Sequence, residues 1–277
     1  MNNKLTPIAL CADDYAQNAG IDAGILDLLE KKRLTAVSCF STAPGWKQAA
    51  PALLPYGAQT DIGLHFNLTE GFGVEKVSGL RSVILRSLLR GMQAKEVRKT
   101  LDRQLDAFEE AIGHAPDFID GHQHVHQLPG IRQVVIQVLQ KRYPDKAIWV
   151  RNTVPADLNW RGKPQILRLL GGQVTADHLY YESMPTNDGF GGVYGFDRAD
   201  YDVCFRDWLK AARPGMLIMC HPATAAYPND EIANQRVIEH AFLQSYDCVR
   251  ALDQAQVQLA KLSDCFLLQE QKQAANV

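Results

Sequence analysis

The sequence has no long hydrophobic run, no paired-cysteine motif and no marked charge excess, and each absence excludes a class of protein. No stretch approaches 18 uninterrupted apolar residues, so we expect no transmembrane segment. The amino-terminal segment has too short an apolar run, and no small-residue cleavage site, for a signal peptide. The six cysteines are widely spaced without a CxxC motif, which indicates free thiols in a reducing compartment. The sequence therefore predicts a soluble cytoplasmic protein.

The charge balance shows no general bias toward a polyanionic partner. The chain has 29 Lys and Arg against 31 Asp and Glu, a net charge of -2. We therefore expect no nucleic-acid partner and no general attraction to anionic membranes. The basic residues at 81–103 are interleaved with acids and aliphatics, which favours a solvated helix face over a binding patch.

Short apolar runs alternate with longer helical patterns along the chain. This alternation is typical of a parallel sheet covered by helices. At 277 residues and with about seven strands, a (β/α) barrel is favoured over an open doubly wound sheet. We expect a single catalytic domain over 1–277 with a polar, flexible tail at about 268–277, and a long Gly-rich aromatic loop at 180–196. The predicted strands lie at 7–12, 35–41, 61–68, 117–121, 147–152, 214–222 and 257–260, and a long helix is predicted at roughly 230–254.

Polar residues with catalytic potential stand where four of the predicted strands end. The carboxyl ends of parallel strands converge on one face of the fold, where sites are built. The residues at these ends are therefore predicted to meet in one site. They are Asp13 and Asp14 after the first strand, His65 late in the third, Asp120 to His126 after FID, and His221 after LIMC.

The segment DGHQHVHQLPG, residues 120–130, contains three of the chain's eight histidines within five residues. In an extended chain, His122, His124 and His126 point to one side. A divalent metal binds two or three imidazoles, often with a carboxylate, so this segment could supply two ligands, or one ligand with supporting partners. The alternative is a set of polar loop histidines without a metal.

The adjacent Asp13 and Asp14 also allow two interpretations. A helix follows shortly, so helix capping could account for them without any chemistry. At a metal site, one carboxylate would bind the cation while the other takes a proton from water. His65 and His221 could each be a buried structural histidine, but at such a site His221 could protonate a leaving group.

These pieces together resemble the YdjC-like carbohydrate deacetylases, the family of chitooligosaccharide deacetylases and hopanoid-biosynthesis-associated deacetylases. The matching stretches run in order from residue 11 to 223: CADDYAQNAGIDAGI, TAVSCFSTAP, DIGLHFNLTEG, FIDGHQHVHQLPGI and MCHPA. The resemblance implies an irregular or incomplete (β/α) barrel, related in layout to NodB-type polysaccharide deacetylases. It implies one divalent metal ion, Mg²⁺ or Zn²⁺, held by Asp14, His65 and His122. It also implies Asp13 as general base and His221 as general acid.

Other residues around this site are candidates for contacting a substrate. The resemblance gives His124 and His126 a role in shaping the site or meeting the substrate. Arg151, at the end of AIWVRN, is a candidate for orienting Asp13 or a substrate hydroxyl. Tyr194, in the aromatic segment, could stack on a sugar ring.

The chain departs from the usual family pattern in two places. Tyr15-Ala16 stands where Phe-Gly is common, and Gln123 stands where a histidine is common. Neither change removes an implied ligand, but both lie close to the metal and leave the substrate's identity open.

The predicted reaction is metal-dependent removal of an N-acetyl group from an amino-sugar-containing carbohydrate or glycolipid, with release of acetate. The substrate could be an oligosaccharide, a nucleotide sugar or a lipid-linked sugar. Two alternatives stay open: another metal-dependent hydrolase such as a phosphoesterase, which usually needs two metals, and a non-catalytic carbohydrate-binding protein. A homodimer is a base-rate expectation only.

Overall fold

The structure, a computed structural model, describes residues 5–74 and 76–266. Every strand pairing in these residues is parallel, and the strands form one eight-stranded sheet. The predicted tail at 268–277 lies outside the described residues. The strands are β1 (Thr6–Tyr15), β2 (Ala36–Cys39), β3 (Asp61–Phe66), β4 (Phe118–Gly121), β5 (Trp149–Val150), β6 (Phe190–Gly191), β7 (Met216–Cys220) and β8 (Val257–Leu259).

The sheet is an incomplete barrel in which β1 pairs with three other strands, β2, β7 and β8. The strand order is β5-β4-β3-β2-β1-β7-β6, and β8 pairs with the first residues of β1. The two edge strands have only two residues each, and near them a single parallel bridge joins Pro155 to Phe190. The irregular (β/α) barrel predicted from the sequence is therefore confirmed.

Helices fill most of the connections between strands, as the alternating pattern predicts. Asn18 caps the first helix, because its side chain accepts hydrogen bonds from the backbone N–H groups of Gly20 and Ile21. Helix capping therefore does not explain the two aspartates. The helices are α1 (Ala19–Glu30), α2 (Trp46–Ala49), α3 (Leu80–Leu88), α4 (Ala94–Ile112), α5 (Ile131–Arg142), α6 (Lys163–Leu167), α7 (Gln173–Tyr181), α8 (Tyr201–Leu209), α9 (Ala233–Leu243) and α10 (Tyr246–Gln254).

Two predicted elements differ from the structure. The long helix at 230–254 is two helices, because Ser245 caps α10 by accepting a hydrogen bond from the backbone N–H of Cys248. The long loop at 180–196 begins in the last residues of α7 and contains β6. Two residues are too few for the alternation that marks a strand in sequence.

The interior is packed on both faces of β1, whose last eight residues are all buried. All six cysteines are free, as predicted. None of the helices in the described part of the chain is long and apolar enough to cross a membrane.

Candidate active site

The two adjacent aspartates lie inside the last part of β1 rather than after it. The pairing of β1 with β2 is irregular between Ala12 and Tyr15, and Asp14 has a φ of 71°, which non-glycine residues rarely adopt. Such a β-bulge turns neighbouring side chains in new directions. As a result Asp13 faces Arg151, while Asp14 faces two histidines.

Asp14, His65 and His122 converge on one point. The Oδ1 atom of Asp14 lies 3.2 Å from His65 Nε2 and 3.2 Å from His122 Nδ1. This Oδ1 is buried and has no hydrogen-bond partner among the described residues. One oxygen and two imidazole nitrogens are a donor set that suits a divalent transition metal.

Asp120 supports His65 from the side away from Asp14. Its Oδ1 lies 2.7 Å from His65 Nδ1, and the two residues pair across β3 and β4. A carboxylate on the second ring nitrogen fixes the orientation of metal-binding histidines. Burial lowers the pKa of His65, but Asp120 and Asp14 outweigh it and raise the pKa to about 10. The site therefore favours positive charge at this point, and its residues fit a divalent cation.

The histidine segment turns where the sequence predicts an extended run. His122–Gln127 form a short 3-10 turn, in which Gln123 and His124 have φ of 51° and 59°. The prediction that the three histidines share one side is therefore wrong. Only the first of them, His122, lies beside Asp14.

The other two histidines of the segment have different surroundings. His126 is 1% exposed, and its Nε2 donates to the backbone carbonyl of Arg151 at 2.8 Å, so it has no surface for a substrate. The ring of His124 lies edge-on to Phe190, with the ring centres 5.7 Å apart. Substrate contact by His124 stays a prediction.

Arg151, directly after β5, is fully buried between two carboxylates. Its Nη1 and Nη2 donate to the two oxygens of Asp13 at 2.7 and 2.6 Å, and Nη2 lies 2.5 Å from Asp120 Oδ2. Burial alone would raise the pKa of Asp13, but Arg151 holds it below its usual range. Arg151 has no exposed surface, and its contacts are those expected of a residue that orients Asp13, the first of the two roles predicted for it. Substrate contact by Arg151 stays a prediction.

A second group of potential metal ligands, Cys11, Asp13 and Asp120, lies beside the first. The guanidinium of Arg151 contacts all three, with its Nη2 donating to Cys11 Sγ at 3.1 Å. A fixed cation thus occupies the place that a second metal would need.

His221, directly after β7, faces Asp13 from another side of the site. Its Nε2 lies 4.0 Å from Asp13 Oδ2, and the ring of Phe196 packs edge-on against it at 5.1 Å. Burial lowers the pKa of His221 to about 4, although Asp14 and Asp13 oppose this. The imidazole is therefore neutral near pH 7 in this structure.

Helix α9 contributes two further residues that sequence reasoning missed. Arg236 Nη2 donates to Asp14 Oδ2 at 2.7 Å, which leaves Oδ1 of that carboxylate to the histidines. Glu239 Oε2 accepts a hydrogen bond from the backbone N–H of His221 at 2.6 Å. Arg236 and Glu239 are three residues apart, so both lie on one face of the helix. This spacing is the only feature of the sequence that links them.

Tyr194 is tied to the same helix. Its hydroxyl donates to Glu239 Oε1, and its ring packs against Phe196, Tyr201 and Trp208. These contacts make it an anchor for the segment after β6, and they give no support to the predicted stacking on a sugar ring.

The family model described as YdjC-like protein matches residues 7–254. The chain belongs to the YdjC-like family. A carbohydrate deacetylase of Xenopus laevis is 35% identical over 151 residues, which cover 48% of this chain and 47% of that protein. The chain thus spans about half the length of this vertebrate relative. A chitooligosaccharide deacetylase of Yersinia pestis strain Pestoides F is 25% identical over 274 residues, covering 92% of this chain and 97% of that protein.

A solved structure from Enterococcus faecalis V583, named as a cellobiose-phosphate cleavage protein, shares the fold of this YdjC-like chain. The TM-score is 0.68 at 20% identity, over 94% of this chain and 98% of that one. At this identity the likeness concerns the fold alone.

The buried Glu239 of this YdjC-like protein predicts a pH-dependent stability. Burial raises its pKa from 4.5 to about 7, against the hydrogen bonds from His221 and Tyr194. The carboxyl of Glu239 binds its proton more tightly in the folded than in the unfolded state. Its contribution to the free energy of unfolding is therefore fully present below about pH 4 and is lost as the pH rises through 7. The free energy of unfolding of the wild type should therefore fall, relative to Glu239→Gln, by roughly 2–3 kcal/mol between pH 4 and 8. Paired denaturant titrations check this, and a constant difference would contradict it.

Proposed function

We propose that this protein is a metal-dependent carbohydrate deacetylase that hydrolyses an N-acetyl group on an amino sugar and releases acetate. The observation that carries the proposal is the division of labour between two adjacent aspartates. Asp14 presents a free oxygen to two histidines, while Asp13 is held as an ionised carboxylate by Arg151. The names of the matched relatives, carbohydrate deacetylase and chitooligosaccharide deacetylase, support the reaction class.

Asp14, His65 and His122 would hold one divalent cation. When bound, it supplies Lewis-acid chemistry, which polarises the acetyl carbonyl and lowers the pKa of water. Asp120 keeps the ring of His65 in place, and Arg236 keeps Asp14 to a single free oxygen. Two nitrogens and one carboxylate oxygen suit Zn²⁺ better than Mg²⁺, which prefers an all-oxygen shell.

Asp13 acts as the general base and His221 as the group that protonates the leaving amine. Asp13 is ionised and ready to take the proton of the attacking water. His221 is neutral in this structure, so it must acquire the proton that it donates during turnover. Asp13 Oδ2, 4.0 Å from His221 Nε2, is the source that we propose. The proton that Asp13 takes from water is passed to His221, and His221 gives it to the leaving amine. Asp13 is then ionised again.

The sugar would enter past His122 and His221, whose side chains are 16% and 12% exposed. One partly buried aromatic ring contacts His221 directly, and a second lies near His122 with another ring between them. Phe196 packs on His221, and Phe72 packs on Phe40, which contacts the ring of His122. Phe72 and Phe196 have positive φ, at 52° and 60°, and such strain is common where a side chain is held for function. We assign these two rings to contact the pyranose.

A two-metal phosphoesterase is the main competing function. Among the described residues, the remaining group that could hold a second metal is Cys11, Asp13 and Asp120. Arg151 fills that group with its own charge, which favours the single-metal reaction. A binding protein without turnover would not need Asp13 held apart from the ligand set.

The test is acetate and free-amine release from a panel of N-acetylated sugars. The panel should contain N-acetylglucosamine, its β-1,4-linked oligomers, a nucleotide sugar and a lipid-linked N-acetylglucosamine. We expect equal amounts of acetate and amine from at least one member, abolished by a chelator. Release of phosphate from sugar phosphates, with no acetate from any member, would instead support the phosphoesterase.

A further inference from the structure

Two segments beside the active site carry positive charge without any acid. Residues 76–95, which include α3, contain five Lys and Arg and no Asp or Glu. Residues 158–176, which include α6, contain three Lys and Arg and again no acid. In a chain with a net charge of -2, this is a local concentration of positive charge. We call them the first and second basic segments.

The first basic segment also exposes a row of leucines. Leu85, Leu88 and Leu89 are 59%, 53% and 72% exposed. Leu88 and Leu89 follow Leu85 by three and four residues, so the three side chains lie on one face of α3. The opposite face, with Val83 and Ser87, is buried against the protein. Isolated exposed leucines are ordinary, but a contiguous apolar stripe marks an interaction surface.

The second basic segment also combines exposed aliphatic side chains with cations. Leu158, Ile166 and Leu169 are 59%, 53% and 82% exposed. The segment's three cations, Arg161, Lys163 and Arg168, lie between them along the chain.

Both basic segments pack on the turn that carries His122. Ser87 Oγ in the first segment donates to the carbonyl of Pro129 at 2.7 Å. The carbonyl of Leu167 in the second segment accepts a hydrogen bond from Gln127 Nε2 at 3.1 Å. The two segments therefore both contact the end of the loop that carries His122.

We propose that the two basic segments form a docking surface for an anionic lipid bilayer, with the exposed leucines and isoleucine entering the interface and the cations meeting lipid phosphates. Basic amphipathic surfaces bind membranes in this way, lying on the bilayer without crossing it. A second copy of the chain fits poorly, because two such surfaces would bring like charges together. A nucleic acid would use the cations but would leave the aliphatic side chains without a partner.

Under this proposal, the solvated helix face expected at 81–103 would be limited to its second part. The acids of that range begin at Glu96, in α4, whereas α3 has none.

The test is co-sedimentation with vesicles, which needs no substrate and does not depend on the proposed reaction. Wild-type protein should bind vesicles of phosphatidylglycerol and phosphatidylcholine, bind pure phosphatidylcholine far less, and dissociate as salt is added. The triple variant Arg81→Gln, Arg86→Gln, Arg90→Gln should lose about fivefold in partition coefficient for each charge removed. The triple variant Leu85→Ser, Leu88→Ser, Leu89→Ser should lose about tenfold or more.

Matched controls come from exposed residues elsewhere. Leu54→Ser replaces a leucine that is 47% exposed, and Lys141→Gln removes an exposed cation from the end of α5. Both should bind as wild type does. Because all of these side chains are exposed, the thermal midpoints should change little.

Three results would overturn the proposal. The first is equal binding to anionic and neutral vesicles, or none. The second is a loss with the arginine variant but not with the leucine variant, which would indicate a generic polyanion. The third is a dimer in light scattering that the leucine variant dissociates, which would assign the surface to a second copy.

Discussion

Replacing Asp13 with asparagine is expected to lower kcat by about 10²–10⁴-fold, because the variant loses the ionised carboxylate that we propose takes a proton from water. Asparagine keeps the size of the side chain and can still accept a hydrogen bond from Arg151. The proposed metal site does not include Asp13, so we expect one metal per chain to remain bound. Acetate release together with metal analysis of the purified variant checks both parts.

Asp61→Asn is the matched control for this substitution. Asp61 is also a fully buried carboxylate, but it begins β3, whereas His65 lies near the end of that strand. Its partners are Ser263 and Trp149, far from the proposed reaction in the topology of the barrel. Its kcat should stay close to that of the wild type. An Asp13→Asn enzyme with near-normal kcat would show that another group is the base.

Arg151→Met is expected to destabilise the protein by about 3–5 kcal/mol, since it leaves the buried carboxylates of Asp13 and Asp120 without their positive partner. Burial raises the pKa of Asp13, and Arg151 opposes this. Without Arg151 the carboxyl of Asp13 takes up a proton at a higher pH, which relieves the unpaired buried charge as the pH falls. The difference in unfolding free energy from wild type should therefore be larger at pH 7 than at pH 4. Denaturant titrations at the two pH values measure it.

Two further variants make the Arg151 result specific. Arg250→Met breaks an ion pair with Asp247 whose side chains are 54% and 58% exposed, and such pairs contribute about 0–1 kcal/mol. Arg151→Lys keeps the charge but loses the two-pronged contact with Asp13, so its stability should lie between those of the wild type and Arg151→Met. If Arg151→Met is as stable as Arg250→Met, the buried pair does not have the role assigned to it.

The position of the candidate site can be predicted from the sequence, because its polar residues stand at the ends of predicted strands. Asp13, Asp14, His65 and His221 each follow or end a hydrophobic run, and the parallel sheet brings those ends to one face. That inference needs only the strand pattern and the rule that parallel strand ends share an edge. The structure places all four around one point.

The sequence does not predict which side chains stay accessible. Arg151 follows a strand, and Asp13 lies in the last part of one, so the sequence gives both the same kind of position. The packing of the barrel buries Arg151 and makes it a partner of Asp13. The histidine segment fails for a local reason, since two successive residues with positive φ cannot be read from their identities. Arg236 and Glu239 lie on a helix that reaches the site from far along the chain.

The measurement that tests the central claim most directly is a metal titration of acetate release. The protein is stripped with a chelator, dialysed, and supplied with Zn²⁺ in steps while it turns over the best substrate of the N-acetyl sugar panel. Acetate release should be absent without metal, rise in proportion to the metal added, and level off at one equivalent per chain, because Arg151 fills the second ligand group. Full activity without metal, or a plateau only at two equivalents, would contradict a single-metal deacetylase built on Asp14, His65 and His122.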